Sequence, residues 1–124
     1  MLFRSALKEV GVSVAQMRAL AVLAEGGPCT INELSVMTVI KQSTLSRTLD
    51  AMEAAGLIRR EAGENDSRIR EIHLTEAGQA AYQAAWPAME HMRDTMLASL
   101  TEAERVALKD MLSRVLHDIR HHDF

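Results

Sequence analysis

Apolar residues recur along most of this 124-residue chain at helical spacing, and in one short segment they alternate as in a strand. After Ser13, the residues Val14, Met17, Leu20, Ala21 and Ala24 keep a 3.6-residue period, which gives a helix with one apolar face. Gly26-Gly27-Pro28 stops that helix, because glycine tolerates left-handed backbone at a helix end and proline cannot continue the ladder. A short helix follows Thr30, with Ile31 and Leu34 inward. A turn near Thr38–Gln42 leads into a helix over about 43–55, whose inner stripe is Leu45, Leu49 and Met52 and which Gly56 closes. Two short helices joined by so brief a turn have helix-turn-helix spacing. The period then switches. LIRRE at 57–61 and RIREIHL at 68–74 bracket a turn-rich segment, the pattern of an antiparallel hairpin. A helix-turn-helix followed by a β-hairpin is a winged helix.

The last third is helical. Ala77, Ala81, Ala85, Met89, Met92, Met96 and Leu100 lie along one long helix, which Pro87 is expected to kink or restart because it offers no N–H to the carbonyl of Gln83. A final helix uses Leu108, Met111, Leu112, Val115 and Ile119. Helix starts are marked by side chains that satisfy orphan backbone N–H groups. Ser13–Gln16, Thr30–Glu33 and Thr101–Glu104 have capping-box spacing, and Thr75 caps a fourth helix with Glu76 in its first turn. The two last helices and the apolar stub Leu2, Phe3, Ala6, Leu7 and Val10 form more apolar surface than a small winged helix covers. This layer reads as a dimer interface rather than as core folded back on itself. The expected fold class is therefore mainly α (α+β): a winged helix-turn-helix with a small antiparallel β-hairpin wing and a helical dimerisation layer. Residues 1–12 form an N-terminal helix stub for dimerisation, 13–74 the winged-helix DNA-binding region and 75–124 the C-terminal dimerisation helices. The long helix after Thr75 is expected to join the two parts rigidly.

Composition narrows the class. Hydrophobic residues make up 48% and aromatics only 3%, with eight methionines, a balance that favours helices over a β-sandwich. Charged residues at 25% fit a globular chain. No apolar run approaches the ~20 residues of a membrane span, and MLFRSALKEV is too short and too amphipathic for a signal peptide. The single cysteine, Cys29, excludes an internal disulfide and fits a reducing cytoplasm. Net charge is -3, so bulk charge does not advertise nucleic-acid binding. Residues 41–73 are balanced, with six basic side chains (Lys41, Arg47, Arg59, Arg60, Arg68, Arg70) against six acidic ones (Asp50, Glu53, Glu61, Glu64, Asp66, Glu71). A DNA-binding role must rest on arrangement.

Arrangement supplies it. The N-terminal half of the 43–55 helix offers Gln42, Ser43, Thr44, Ser46 and Arg47, and the C-terminal half offers Asp50 and Glu53. Carboxylates are repelled by phosphates, so only the N-terminal half suits a major groove, where the helix dipole also favours phosphate. Arg47 can bond bidentately to guanine O6 and N7, and Ser or Thr can meet bases or phosphates. At the hairpin tip, Asp66 and Arg68 stand two apart, on one side if the segment is a strand. An exposed pair of this kind stabilises by only ~0–1 kcal/mol. Its better use is orientation, with Asp66 holding the Arg68 guanidinium outward for a narrow minor groove. Arg70, next on that side, is a phosphate candidate. Arg59 and Arg60 alternate faces, so one of the two faces DNA, and the sequence does not choose between them.

Three stretches in order, TINELS at 30–35, QSTLSRTLDAMEAAGLIRR at 42–60 and DSRIREIHLTEAG at 66–78, resemble the multiple-antibiotic-resistance regulator (MarR) family. The last resembles the family's wing signature, Asp-x-Arg followed by a hydrophobic strand and Leu-Thr-x-x-Gly. The likeness runs from about Leu7 to Ile119. It implies a homodimeric winged-helix transcription factor on pseudo-palindromic double-stranded DNA, often a repressor released by a small-molecule effector. Two departures stand out. The family's first helix usually begins further upstream, which leaves a stub here for that part of the interface. Thr38 and Val39 stand where the family more often has Leu and Gly, and Val39 disfavours positive φ, so a reshaped turn is expected.

Sharper chemistries are weaker. His117, Asp118, His121, His122 and Asp123 cluster at the C-terminus, and His117 and His121 have the i, i+4 spacing of metal ligands. Histidines also simply suit a helix C-terminus, and no metal is expected. Glu90-His91 is similar to a zinc-sensing element of the family, but Thr95 stands where a second histidine would be. Cys29 reads as a buried packing residue rather than a redox switch. Trp86, Met17, Met89 and Met92 are candidates to line an effector pocket, although methionine at helical spacing is more often core. With no Gly-rich phosphate loop and no Ser or Cys nucleophile beside an evident His and acid, neither a cofactor nor an enzyme is expected. The rival reading is a winged helix that binds protein and not DNA.

Overall fold

The computed structural model describes residues 2–122. Its elements run α1 (Phe3–Glu9), α2 (Val14–Gly26), β1 (Cys29–Thr30), α3 (Ile31–Thr38), α4 (Gln42–Ala54), β2 (Ile58–Ala62), β3 (Arg70–Leu74), α5 (Glu76–Met96) and α6 (Glu102–His121). Met1 of the stub and Asp123 of the C-terminal cluster lie outside the described residues. The three capping boxes form as their spacing requires, with Ser13, Thr30 and Thr101 each accepting from the backbone N–H three residues on. The expected hairpin is β2–β3, antiparallel, with Ile58 opposite Leu74 and Ala62 opposite Arg70.

The chain divides after Met89 into two compact units. In the first, α2, α3 and α4 close over one face of the sheet. Leu20, Leu34, Leu45, Leu49 and Met52 are fully buried there with Ile58 and Ile72 of the sheet. Leu7 of the stub is fully buried in the same cluster, so α1 contributes to this unit's own core. The sheet has a third strand that the sequence did not reveal. β1 pairs antiparallel with β3, Cys29 opposite Ile72, giving the order β1-β3-β2. Cys29 thus sits in a strand, and it is buried.

Helix α5 starts where the wing ends. Thr75 accepts the Gly78 N–H on its hydroxyl at 3.0 Å and donates that hydroxyl to the Gly56 carbonyl. The Thr75 N–H donates to the Leu57 carbonyl at 3.1 Å. This joint explains the glycine of LTEAG: a Cβ on Gly78 would stand 2.1 Å from the Leu57 carbonyl oxygen. Pro87 does not restart the helix, because removing one N–H deletes a single bond and the flanking turns continue. Helix α5 does end at Met96, however, so Leu100 belongs to the following turn and not to the long helix.

The turn between α3 and α4 keeps the shape that glycine would give it. Val39 adopts φ 57°, ψ 43°, the left-handed conformation expected to be closed to it. Two bonds to Ser35 hold it there. The Ile40 N–H donates to the Ser35 carbonyl at 3.2 Å, and the Ser35 hydroxyl donates to the Ile40 carbonyl at 2.6 Å. Val39 itself is 85% exposed.

In the second unit, Arg105 of α6 donates to the Leu97 carbonyl at 2.9 Å and lies 3.4 Å from Asp94. Helix α6 buries none of its residues, and Met111, Leu112, Val115, Leu116 and Ile119 are all exposed. Among the described residues, no helix is long and apolar enough to cross a membrane.

Candidate nucleic-acid interface

Burying Leu45, Leu49 and Met52 fixes the rotation of α4. Ser43, Thr44 and Arg47 consequently stand exposed and Ser46 half-buried. Their side chains form no hydrogen bond or ion pair among the described residues. Gln42, the first residue of the helix, differs: its amide nitrogen donates to Oδ1 of Asn32 on α3. Asn32 carries no signal in the sequence until two helices are brought together. The α4 N-terminus also has no side-chain cap, since Lys41 occupies the N-cap position. Its first N–H groups are open to an outside acceptor such as phosphate.

Arg59 and Arg60 differ in their partners. Arg60 reaches back to α4, with one guanidinium nitrogen 3.0 Å from Asp50 and another 3.0 Å from Glu53. It thereby pairs with both carboxylates of the helix's C-terminal half. Arg59 lies outward and pairs with Glu61 along the strand at 2.5 Å, which holds the Glu61 carboxyl below its ordinary range. On β3, the imidazole of His73 lies 3.4 Å from Glu61 and 3.9 Å from Glu71.

At the wing tip Asp66 and Arg68 do pair, but not through strand alternation. Residues 66–69 form a turn closed by the Ile69 N–H on the Asp66 carbonyl at 3.1 Å. Asp66 Oδ1 accepts the Arg68 backbone N–H at 3.0 Å and its Nε at 3.1 Å, while Oδ2 accepts Nη2 at 3.0 Å. An Asx-type turn therefore places the two groups together and makes the pair bidentate. These bonds, the Arg68 side chain's first, hold the Asp66 carboxyl below the usual range and raise the guanidinium. Arg68 projects with 88% of its side chain exposed. Because Arg68 lies in a turn, Arg70 is not its neighbour on a strand face. Arg70 opens β3 exposed, and its guanidinium donates to the Arg60 carbonyl at 3.4 Å.

Elsewhere, His117 and His121 stack with ring centroids 4.1 Å apart, and His121 Nδ1 lies 2.8 Å from the His117 carbonyl. Among the described residues, no group of three or more His, Cys, Asp and Glu is placed to hold a metal ion. Met17 is buried in the first unit's core and Met89 packs against it, while Tyr82 and Trp86 stand with ring centroids 5.7 Å apart. An open groove of about 620 Å³ lies beside α1 and the start of α2, lined by Arg4, Lys8, Val12 and Ser13 among others.

Comparison with known proteins agrees with this geometry. The model of the MarR family matches residues 10–69. A crystal structure of a MarR-family transcriptional regulator from Silicibacter pomeroyi is 38% identical, covers 98% of this chain and 85% of that one, and superposes with a TM-score of 0.81. The HTH-type transcriptional repressor IacR of Pseudomonas putida is 27% identical over 113 residues, which cover 91% of this chain and 68% of the repressor. NadR, solved in complex with 4-hydroxyphenylacetate, is 27% identical with a TM-score of 0.81, over 91% of this chain and 80% of that one.

Proposed function

Because the chain belongs to the MarR family of transcriptional regulators, we propose that it is a homodimeric repressor that reads a pseudo-palindromic operator and is released by a small-molecule effector. One observation carries this reading: α4 turns uncommitted Ser43, Thr44 and Arg47 outward with Ser46 half-buried beside them, while Arg60 covers the two carboxylates further along the helix. The N-terminal half of α4 enters the major groove, with Arg47 on guanine and the hydroxyls and Gln42 on bases or phosphates. Asp66 aims Arg68 at the minor groove beside it, and Arg70 takes a phosphate.

The DNA-binding region is 13–74. Beyond Leu7 and the α5 residues committed to the core, the stub 1–12 and the helices of 75–124 serve dimerisation, for which the exposed apolar stripe of α6 is the supporting feature. Two recognition helices then meet successive major grooves about one helical turn apart. The groove beside Arg4 and Lys8 has the charge that an organic anion needs, in keeping with the acid bound by NadR. The protein works in the cytoplasm and catalyses no reaction.

Selection of bound DNA from a random pool, followed by a salt titration on the winner, tests the reading. A two-fold-related half-site should be enriched, and log affinity should fall linearly with log salt. A pool with no enriched half-site would move the protein to the protein-interaction reading.

A further inference from the structure

The bond from Gln42 to Asn32 joins the two helices of the helix-turn-helix through two exposed side chains at the start of each helix. A glutamine amide alone presents its oxygen and nitrogen in either order and swings about three rotatable bonds. With Asn32 turning Oδ1, which only accepts, toward α4, the nitrogen of Gln42 and not its oxygen faces it. In that arrangement the order of the two groups is set. One N–H is used, and the second N–H and Oε1 remain, a donor beside an acceptor.

From this we infer that Asn32 and Gln42 act as a pair that selects adenine at one position of each half-site, Gln42 reading the base and Asn32 positioning it. In the major groove adenine offers the N7 acceptor beside the N6 donor, the complement of the remaining amide edge. Guanine offers two acceptors, O6 and N7, and would set O6 against Oε1. The inference rests on the reading that the N-terminal half of α4 enters the major groove.

The test compares the wild type with Gln42→Ala, Asn32→Ala, the double variant and Asn32→Asp. Each is titrated on the selected operator and on operators changed at single positions, with thermal melts to confirm folding. Gln42→Ala should lose about tenfold of preference at one adenine in each half-site. Asn32→Ala should lose part of that same preference and no other, and the double variant should be no worse than Gln42→Ala. Asn32→Asp keeps the acceptor, so it should retain the adenine preference even as its charge weakens binding to every sequence.

Three results would overturn the pair: a uniform loss in Asn32→Ala, losses that add in the double variant, or a base other than adenine at the Gln42-sensitive position. A pool without any half-site would instead overturn the DNA reading itself, and the pair with it.

Discussion

Replacing Gly78 with alanine should destabilise the protein, although alanine is the better helix former. Gly78 lies in the first turn of α5, where the helix crosses the root of the wing. A Cβ there would sit 2.1 Å from the Leu57 carbonyl oxygen and 2.6 Å from Leu74 Cδ1. Carbon contacts prefer about 3.5 Å or more, so the overlap with the carbonyl exceeds an ångström. Leu74 can rotate its terminal methyl away. The Leu57 carbonyl cannot move without disturbing its bond from the Thr75 N–H, and the neighbouring bond from Thr75 to Gly56 moves with it. Overpacking of this kind costs about 1–3 kcal/mol. One weakened hydrogen bond adds about 1 kcal/mol, and helix propensity returns about 1 kcal/mol. The net loss is about 2 kcal/mol, and Tm should fall by roughly 6–10 °C in a chain of this size. Thermal melts followed by circular dichroism, at equal protein concentration because a dimer's Tm depends on it, check this. A Gly78→Ala protein as stable as wild type, or more so, would show that the joint is looser than the bonds around Thr75 require.

Four further outcomes follow from named contacts. Arg60→Ala should weaken operator binding without Arg60 touching DNA, because Asp50 and Glu53 are uncovered; Asp50→Asn with Glu53→Gln in the same chain should restore it, and no restoration would refute the shielding role. Its effect on stability should stay near ~1 kcal/mol, since both carboxylates are largely solvated. Val39→Gly removes left-handed strain of about 1–2 kcal/mol and adds unfolded-state entropy worth about 1 kcal/mol, so denaturant midpoints should be unchanged or slightly higher; a clear drop would contradict the strain. Asp66→Ala should weaken binding in a titration although it removes a negative charge, and tighter binding would sink the aiming role. Burial first, then Glu33 and Glu71, push the Cys29 thiol up from 9.0 to about 11. An unfolded chain therefore releases this proton at lower pH than the folded one, and stability should decline as pH rises from 9.0 to about 11. Cys29→Ala should lack that part of the decline when denaturant midpoints are compared across the interval.

Features encoded within a few residues were legible in the sequence. The stripe Leu45, Leu49 and Met52 and the three capping boxes depend on separations of three or four positions, and each stands where its spacing puts it. Pairings between distant elements were not legible. β1 is two residues long, and only its register against Ile72 and Glu71 makes it a strand. The role of Arg60 depends on where α4 lies relative to β2, and that of Asn32 on where α3 meets Gln42. At the wing tip the Asp66–Arg68 pair was legible while its cause was not, because i, i+2 neighbours meet both on a strand face and in an Asx-type turn. Val39 shows the limit of a propensity rule: a β-branched residue takes the left-handed position when Ser35 bonds both sides of the turn.

For a chain of net charge -3, the proposed reading of DNA rests on charges being paired off locally before DNA arrives. Arg60 cancels much of the α4 carboxylate pair, and Arg59 occupies Glu61. At the end of α4 proposed to enter the groove, Lys41 and Arg47 form no ion pair among the described residues, and two hydroxyl side chains stand exposed beside them. Acidic groups further away are screened within about 8–10 Å at cellular salt, so phosphates meet the local arrangement rather than the total. Long-range attraction to DNA of arbitrary sequence is correspondingly weak, since that term scales with the number of phosphates neutralised. An acidic regulator built in this way is expected to lose little of itself to non-specific sites, which would raise the specificity ratio that decides operator occupancy.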